Sequence, residues 1–169
     1  MGAHGGRVGL NHVSIVARDL AESVSFYVDV FGLAPVPTPD FGFPVQWLLA
    51  GDRQLHLFER PEPAPAYAHL SFEVDDPLPV YRVAKERGLL DSTSFGYAAA
   101  ELPGGELQLY LRDPSGNLVE VNHPHAAAFR DEMPELITFA ERRPQAGDHA
   151  RASLFVGRDG ADAASPSRG

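Results

Sequence analysis

Two short stretches decide the fold of this chain: His12-Val13-Ser14-Ile15-Val16 and, later, His69-Leu70-Ser71-Phe72-Glu73. Each begins with a histidine and alternates in side-chain character, which is typical of a β-strand with one buried face. An acidic residue then starts a helix in each case, Asp19 in the first copy and Asp76 in the second, and each helix ends at a Gly-Leu pair. The chain is therefore predicted to contain a duplicated unit.

A second apolar strand with one polar residue at its centre comes late in each unit. These strands are Leu55-His56-Leu57 and Val119-Glu120-Val121. The duplication thus puts four side chains at matching points: His12, His56, His69 and Glu120. We expect them to meet near a pseudo-twofold axis as a metal site built from two halves. Alternation directs His12 and His69 away from the helix-packing face, whereas the apolar neighbours of His56 and Glu120 leave their faces open.

The repeat predicts an α+β protein with two tandem βαβββ modules whose sheets form a shared cup around the metal site. We expect the modules over residues 9–60 and 67–124, joined by a Pro-rich linker over 61–66. Residues 1–8 are expected to be flexible. Residues 125–169 are expected to form a C-terminal extension that is partly helical and then flexible.

Three further segments give specific structural predictions. Residues 34–44 are rich in proline and predict an irregular connection. Residues 93–100 predict a strand, and residues 126–141 predict one or two short helices around Pro134. The segment Asp113-Pro114-Ser115-Gly116-Asn117 predicts a tight turn, with Asp113 as a turn residue and not as a catalyst.

Length, charge and hydropathy limit the kinds of partner that the protein is expected to bind. A chain of 169 residues forms one domain or two small halves with one core. Its formal net charge of −9 argues against nucleic acid or an anionic membrane as a main partner. No apolar run approaches the ~20 residues of a membrane span, and the first residues lack the apolar stretch of a signal peptide. We expect a cytoplasmic protein that binds a small molecule.

Because the chain has no cysteine, a metal must be held by imidazoles and carboxylates. Such a donor set suits Fe, Ni, Zn, Mn or Co as the divalent ion, and two His with one carboxylate leave positions open for substrate or oxygen. A carboxylate ligand keeps the ion Lewis acidic, so that it polarises a carbonyl or stabilises an enediolate. Since imidazole must be neutral to bind, metal affinity should fall below pH ~6.5.

Two motifs resemble one family. Leu10-Asn11-His12-Val13-Ser14, followed by Phe26-Tyr27 and Phe31-Gly32-Leu33, is typical of the first module of the vicinal oxygen chelate superfamily. This superfamily is also called the glyoxalase, bleomycin-resistance and extradiol dioxygenase family. The stretch from Tyr110 to Glu120 is typical of its last hairpin, and the resemblance covers roughly residues 8–124.

The resemblance implies metal ligands at His12, His69 and Glu120. Position 56 matches a fourth ligand, for which glyoxalase I commonly has glutamate or glutamine; His56 is then either a ligand or a residue that touches substrate. Extradiol dioxygenases also have a histidine a few residues before the last hairpin, where this chain reads Glu101 to Glu106 without one. The leading interpretation is therefore a glyoxalase-like lyase or isomerase acting on a small carbonyl or vicinal-oxygen substrate.

His56 and Glu120 are the candidate catalytic groups. The candidate substrate-binding residues are Trp47, Phe43, Tyr110 and Arg112, and each has a structural alternative, in the core or at a strand end. An extradiol-type dioxygenase and a ligand-sequestering protein like those of bleomycin resistance are the alternative functions. Family members often pair or swap modules, so the resemblance also implies a homodimer.

Overall fold

A computed structural model describes residues 9–156. The segments expected to be flexible at 1–8, and the last part of the C-terminal extension at 157–169, lie outside the described residues. The chain divides into two compact units. Unit 1 contains residues 9–68 and 112–118, and unit 2 contains residues 69–111 and 119–156.

Unit 1 has the predicted βαβββ order. Its elements are β1 (His12–Ala17), α1 (Leu20–Phe31), β2 (Ala34–Val36), β3 (Val45–Ala50) and β4 (Arg53–Glu59). The strands lie in the order β1-β4-β3-β2, with β1 parallel to β4 and the other neighbours antiparallel. Residues 34–36 were expected to be irregular. They instead form the edge strand β2, where Pro35 is tolerated because an edge residue has no second partner strand to serve.

Local signals fix the ends of α1. The Asp19 carboxylate accepts a hydrogen bond from the Glu22 N–H (2.9 Å), as an N-cap residue does. The helix ends at Gly32, whose φ of 68° lies in the left-handed region that glycine adopts without strain. The helix and the sheet share an apolar core of Ala17, Phe26, Tyr27, Leu33, Leu48, Leu55 and Leu57.

The turn at residues 112–118 is part of unit 1 and carries a buried polar network. The Asp113 carboxylate accepts from the Tyr27 hydroxyl (2.9 Å), from the Asn117 side-chain amide (2.8 Å) and from two backbone N–H groups of the turn. The same Asn117 amide donates to the Val16 carbonyl (2.7 Å). Burial raises the pKa of Asp113, while these donors act in the opposite direction. Asp113 is thus a turn residue, as expected, with the added role of holding the turn against α1.

Unit 2 has the same βαβββ order and one additional strand. It contains β5 (His69–Glu73), α2 (Leu78–Glu86), β6 (Ala99–Glu101), β7 (Leu107–Arg112), β8 (Leu118–His123), β9 (Leu136–Thr138) and α3 (Phe139–Arg142), with the ends of β7 and β8 in unit 1. The sheet order is β5-β8-β7-β6-β9. Strand β9 pairs in parallel with β6, so the C-terminal extension adds a strand where only short helices were expected.

The strand expected over residues 93–100 is confined to β6. The Asp91 carboxylate explains the difference, because it accepts hydrogen bonds from the backbone N–H and the hydroxyl of both Thr93 and Ser94. A turn built this way competes with strand pairing. Gly96, with a φ of 78°, breaks the extended backbone again before β6 begins.

The mixed α+β class with two sheets confirms the fold predicted from the repeat. Between residues 9 and 156, the structure contains no helix with the length and apolar character that a membrane span requires.

Candidate active site

His12 and His56 lie against each other on one face of the unit 1 sheet. Parallel pairing of β1 with β4 sets Ser14 opposite His56, and antiparallel pairing of β3 with β4 sets Trp47 opposite the same histidine. The His12 and His56 rings are stacked with centroids 4.2 Å apart and planes inclined by 14°. Trp47 stacks on the other side of His56 at 4.4 Å and 9°. The sequence pattern did not decide on which side of the sheet His56 lies; the structure places it on the same side as His12.

Polar neighbours orient both rings. His56 Nε2 lies 3.0 Å from Gln54 Oε1, and His12 Nδ1 lies 2.9 Å from Asn11 Oδ1. Because an amide oxygen only accepts, His56 Nε2 is assigned as the donor, which leaves Nδ1 of the neutral ring free of a proton. Burial, and then the neighbouring His12, lower the pKa of His56. His56 is therefore neutral at pH 7 and suited to accept a proton.

The stacking limits how these two histidines bind an ion. A metal ion binds an imidazole nitrogen close to the plane of the ring, and two nearly parallel stacked planes do not converge on one point. In this arrangement, only one of the two rings directs a nitrogen lone pair at a given ion.

His69 and Glu120 form the second pair, in unit 2. His69 Nε2 lies 3.1 Å from Glu120 Oε2, and the Glu120 side chain is only 5% exposed. The other carboxylate oxygen, Oε1, accepts from the amides of Asn122 (2.7 Å) and Gln108 (3.1 Å). Burial, the charge of Glu120 and a hydrogen bond to it raise the pKa of Tyr110. Glu120 is therefore a buried carboxylate whose position is fixed by several donors.

The distance within the unit 2 pair can be compared with the spacing of two ligands of one divalent metal ion. Nitrogen and oxygen ligands lie about 2.0–2.2 Å from such an ion, so adjacent ligands of one ion are about 3 Å apart. The separation of His69 Nε2 from Glu120 Oε2 is compatible with this spacing, and it is also that of a hydrogen bond in which Nε2 donates, so an ion would replace that proton. Two donors do not complete a site, and no group of three His, Asp or Glu side chains able to hold an ion occurs within residues 9–156.

The predicted substrate-binding residues have different surroundings. Trp47 and Phe43 belong to an aromatic group beside His56, and the Trp47 indole N–H is buried without a hydrogen-bond partner in the described part of the chain. Tyr110 adjoins Glu120, and its ring centroid lies 6.0 Å from that of His69. The Arg112 guanidinium donates to the backbone carbonyls of Gly116 and Ala66, which is a structural role.

Sequence reasoning missed the amides that hold the ligand pair. Gln108 and Asn122 each lie two residues from a predicted site residue, Tyr110 and Glu120 respectively. Side chains two apart on a strand share a face. Polar residues at alternate positions of two otherwise apolar strands were therefore the signal that identifies them.

Comparisons with known proteins agree with these motifs. The model of the Glyoxalase/Bleomycin resistance protein/Dioxygenase superfamily matches residues 9–121. Glyoxylase I 4 of Arabidopsis thaliana is 30% identical in an alignment of 125 residues that covers 66% of this chain and 68% of that protein.

Two solved structures share the fold. The lactoylglutathione lyase of Agrobacterium tumefaciens has a TM-score of 0.52 and 26% identity, over 69% of this chain and 93% of that one. The oxidase ChaP-H2 has a TM-score of 0.55 and 25% identity, over 70% and 96%. With a family model that spans both histidine strands and the final hairpin, the chain belongs to the glyoxalase, bleomycin resistance protein and dioxygenase superfamily.

Proposed function

We propose that this protein is a metal-dependent, glyoxalase-like lyase or isomerase that acts on a small carbonyl or vicinal-oxygen substrate. The observation that carries the proposal is the His69–Glu120 pair, which is buried on the carboxylate side and spaced like two ligands of one ion. The proposed ligands are His69 and Glu120, with His12 added because it has the position of His69 in the repeat. Relatives named as glyoxalase I and lactoylglutathione lyase support the reaction class.

The bound divalent metal would supply Lewis acidity toward the substrate oxygens. Gln108 and Asn122 donate to Glu120 Oε1 and hold the carboxylate in place, while Oε2 would exchange its contact with His69 for the ion. His56 would accept a proton at Nδ1, because Gln54 occupies Nε2. Burial keeps the His56 ring neutral, and the stacked rings of His12 and Trp47 fix its plane.

A dioxygenase is the second candidate, and a specific observation supports it. The oxidase ChaP-H2 shares the fold at 25% identity. Against it stands the stretch from Glu101 to Glu106, which has no histidine to assist proton transfer. Metal identity separates the candidates, since iron favours oxygen chemistry whereas nickel or zinc favours isomerisation.

We also propose that the protein acts in the cytoplasm on a small molecule and forms a homodimer. The net charge of −9 supports a partner other than nucleic acid or an anionic membrane. Light scattering coupled to gel filtration measures the molar mass directly, and the mass of a single chain at micromolar concentration would contradict the dimer.

The decisive experiment measures metal in protein purified without a His-tag. We expect about one equivalent of a divalent transition metal by elemental mass spectrometry, and loss of that metal in His69→Ala and Glu120→Gln. His125→Ala is the matched control, because His125 is exposed and its backbone N–H donates to His123. If the wild-type protein binds no divalent metal even after reconstitution, the enzyme proposal fails and a ligand-sequestering protein takes its place.

A further inference from the structure

Four aromatic side chains form a cluster beside His56 in unit 1, and we call it the aromatic shelf: Phe41, Phe43, Trp47 and Phe58. The Phe41 ring centroid lies 6.0, 6.1 and 6.4 Å from those of Phe43, Trp47 and Phe58. Phe58 in turn lies 6.4 Å from His56. Phe41 is 43% exposed, so the shelf presents aromatic surface that the core of unit 1 does not cover.

Two arginines flank the shelf. Strands β1 and β4 are parallel and Ala17 pairs with Glu59, so the next residues, Arg18 and Arg60, leave the same edge of the sheet. The Arg60 guanidinium carbon lies 3.6 Å from the centroid of the Phe43 ring, which places the cation directly on the shelf. Arg18, Glu59, Arg60 and Pro61 line a surface cavity of about 430 Å³.

The charge of both arginines is available to a ligand. The carboxylate of Glu59 lines the same cavity, and the backbone N–H of Leu20 donates to its Oε2 at 3.0 Å. Neither Arg18 nor Arg60 forms an ion pair with any residue in the 9–156 region. Arg60 Nη1 donates to the Glu59 carbonyl at 3.2 Å, and the remaining N–H groups of this stacked guanidinium lie in its own plane, where they match a carboxylate. A cationic pair of this kind stands out in a chain with a net charge of −9.

We propose that this part of unit 1 binds a planar aromatic carboxylate, with the ring on the aromatic shelf and the carboxylate on Arg60 and Arg18. His56 and Phe58 are alternate residues of β4 and Arg60 directly follows the strand, so the backbone distance from His56 to Arg60 is about 13 Å. A ligand of that kind places its far end beside His56, which adjoins Phe58 of the shelf. This inference names the substrate class of the proposed enzyme. That the ligand is a substrate rests on the proposed function, whereas its binding does not.

The test measures equilibrium binding in metal-free protein, so that a failure of metal binding does not affect it. The probes are 2-naphthoate, its neutral analogue 2-naphthalenemethanol and the non-aromatic cyclohexanecarboxylate, each measured by equilibrium dialysis. Quenching of Trp47, the only tryptophan of the chain, reports whether the ligand lies at the shelf. The variants are Arg60→Met and Phe41→Ala, with Arg53→Met as the control, because Arg53 lies on the same strand and pairs with exposed Asp52.

We expect 2-naphthoate to bind about tenfold more tightly than the neutral alcohol, as one charge-assisted contact predicts. Arg60→Met should abolish that ratio, Phe41→Ala should weaken both naphthyl ligands to a similar extent, and Arg53→Met should change neither. Cyclohexanecarboxylate should bind weakest. The proposal is overturned if neither naphthyl ligand binds, if both bind equally well, or if Arg60→Met leaves their ratio intact.

Discussion

Replacing Gln108 with leucine should weaken metal binding without removing a ligand. The Gln108 amide donates to Glu120 Oε1 at 3.1 Å, and the carboxylate is buried. A hydrogen bond to a charged group contributes about 1.5–3 kcal/mol. Since leucine fills similar space, the main loss is the hydrogen bond that positions the Glu120 carboxylate for a metal. This range corresponds to a fall of about 10- to 100-fold in affinity, as groups that orient a ligand typically show.

The assay is a competition titration with a fluorescent zinc chelator at pH 7.5, with Asn122 kept intact as the remaining amide donor. Gln145→Leu is the control, because it is the same substitution in unit 2 and its amide donates to the Arg143 carbonyl. Urea denaturation of metal-free protein separates loss of affinity from loss of folding. A Gln108→Leu affinity within threefold of wild type would refute the idea that the amide holds the carboxylate for a metal.

Three further predictions concern stability. Tyr27→Phe should lower the free energy of unfolding by about 1.5–3 kcal/mol at pH 7, and the loss should shrink as the pH falls through the raised pKa of Asp113, because a protonated carboxyl accepts less strongly. Asp91→Ala should lower the free energy of unfolding at neutral pH in urea titrations. Burial acts to raise the pKa of Asp91, but its hydrogen bonds outweigh burial and hold that pKa well below its usual range. The stabilisation by Asp91 is therefore present above pH ~4 and is lost only as the pH falls through the lowered pKa. Gly116→Ala should lower the free energy of unfolding by about 1–2 kcal/mol in the same assay, because φ at Gly116 is 87°, where a side chain is strained. Gly9→Ala is the control and should leave the free energy of unfolding nearly unchanged, since an added Cβ meets no atom there. Equal effects of the two substitutions would contradict the strain argument.

The sequence predicted the repeated part of the fold because its signals are local. Alternation in β1 and β5, the Asp19 cap and the glycine after α1 act within a few residues of the structure that they specify. Strand β9 was missed because pairing between β6 and residues 136–138 depends on a distant partner. The strand expected at residues 93–98 was wrong because the Asp91 carboxylate accepts hydrogen bonds from the N–H groups of Thr93 and Ser94 and holds them in a turn. Strand propensity does not include such side-chain hydrogen bonds to the backbone.

The candidate site was predictable to the level of residue types and not of geometry. The repeat identified His69 and Glu120 as equivalents of His12 and His56, and their assignment as ligands stays a prediction. How the two side chains of each pair meet depends on their rotamers. His12 and His56 stack their rings, whereas His69 Nε2 lies 3.1 Å from Glu120 Oε2. Arg60 gave no signal in the sequence, since its contact with Phe43, which lies just before β3, depends on the pairing of β3 with β4.

The turn at residues 112–118 makes the sequence repeat a poor guide to where the protein could be cut. This segment belongs to the second copy of the repeat, yet it supplies the partners of Tyr27 and Val16 in unit 1. A fragment ending at the linker would leave the Tyr27 hydroxyl and the Val16 carbonyl without these partners in an otherwise apolar interior. During synthesis, the first copy therefore lacks these two partners until the ribosome has made Asp113 and Asn117, close to the end of the second copy.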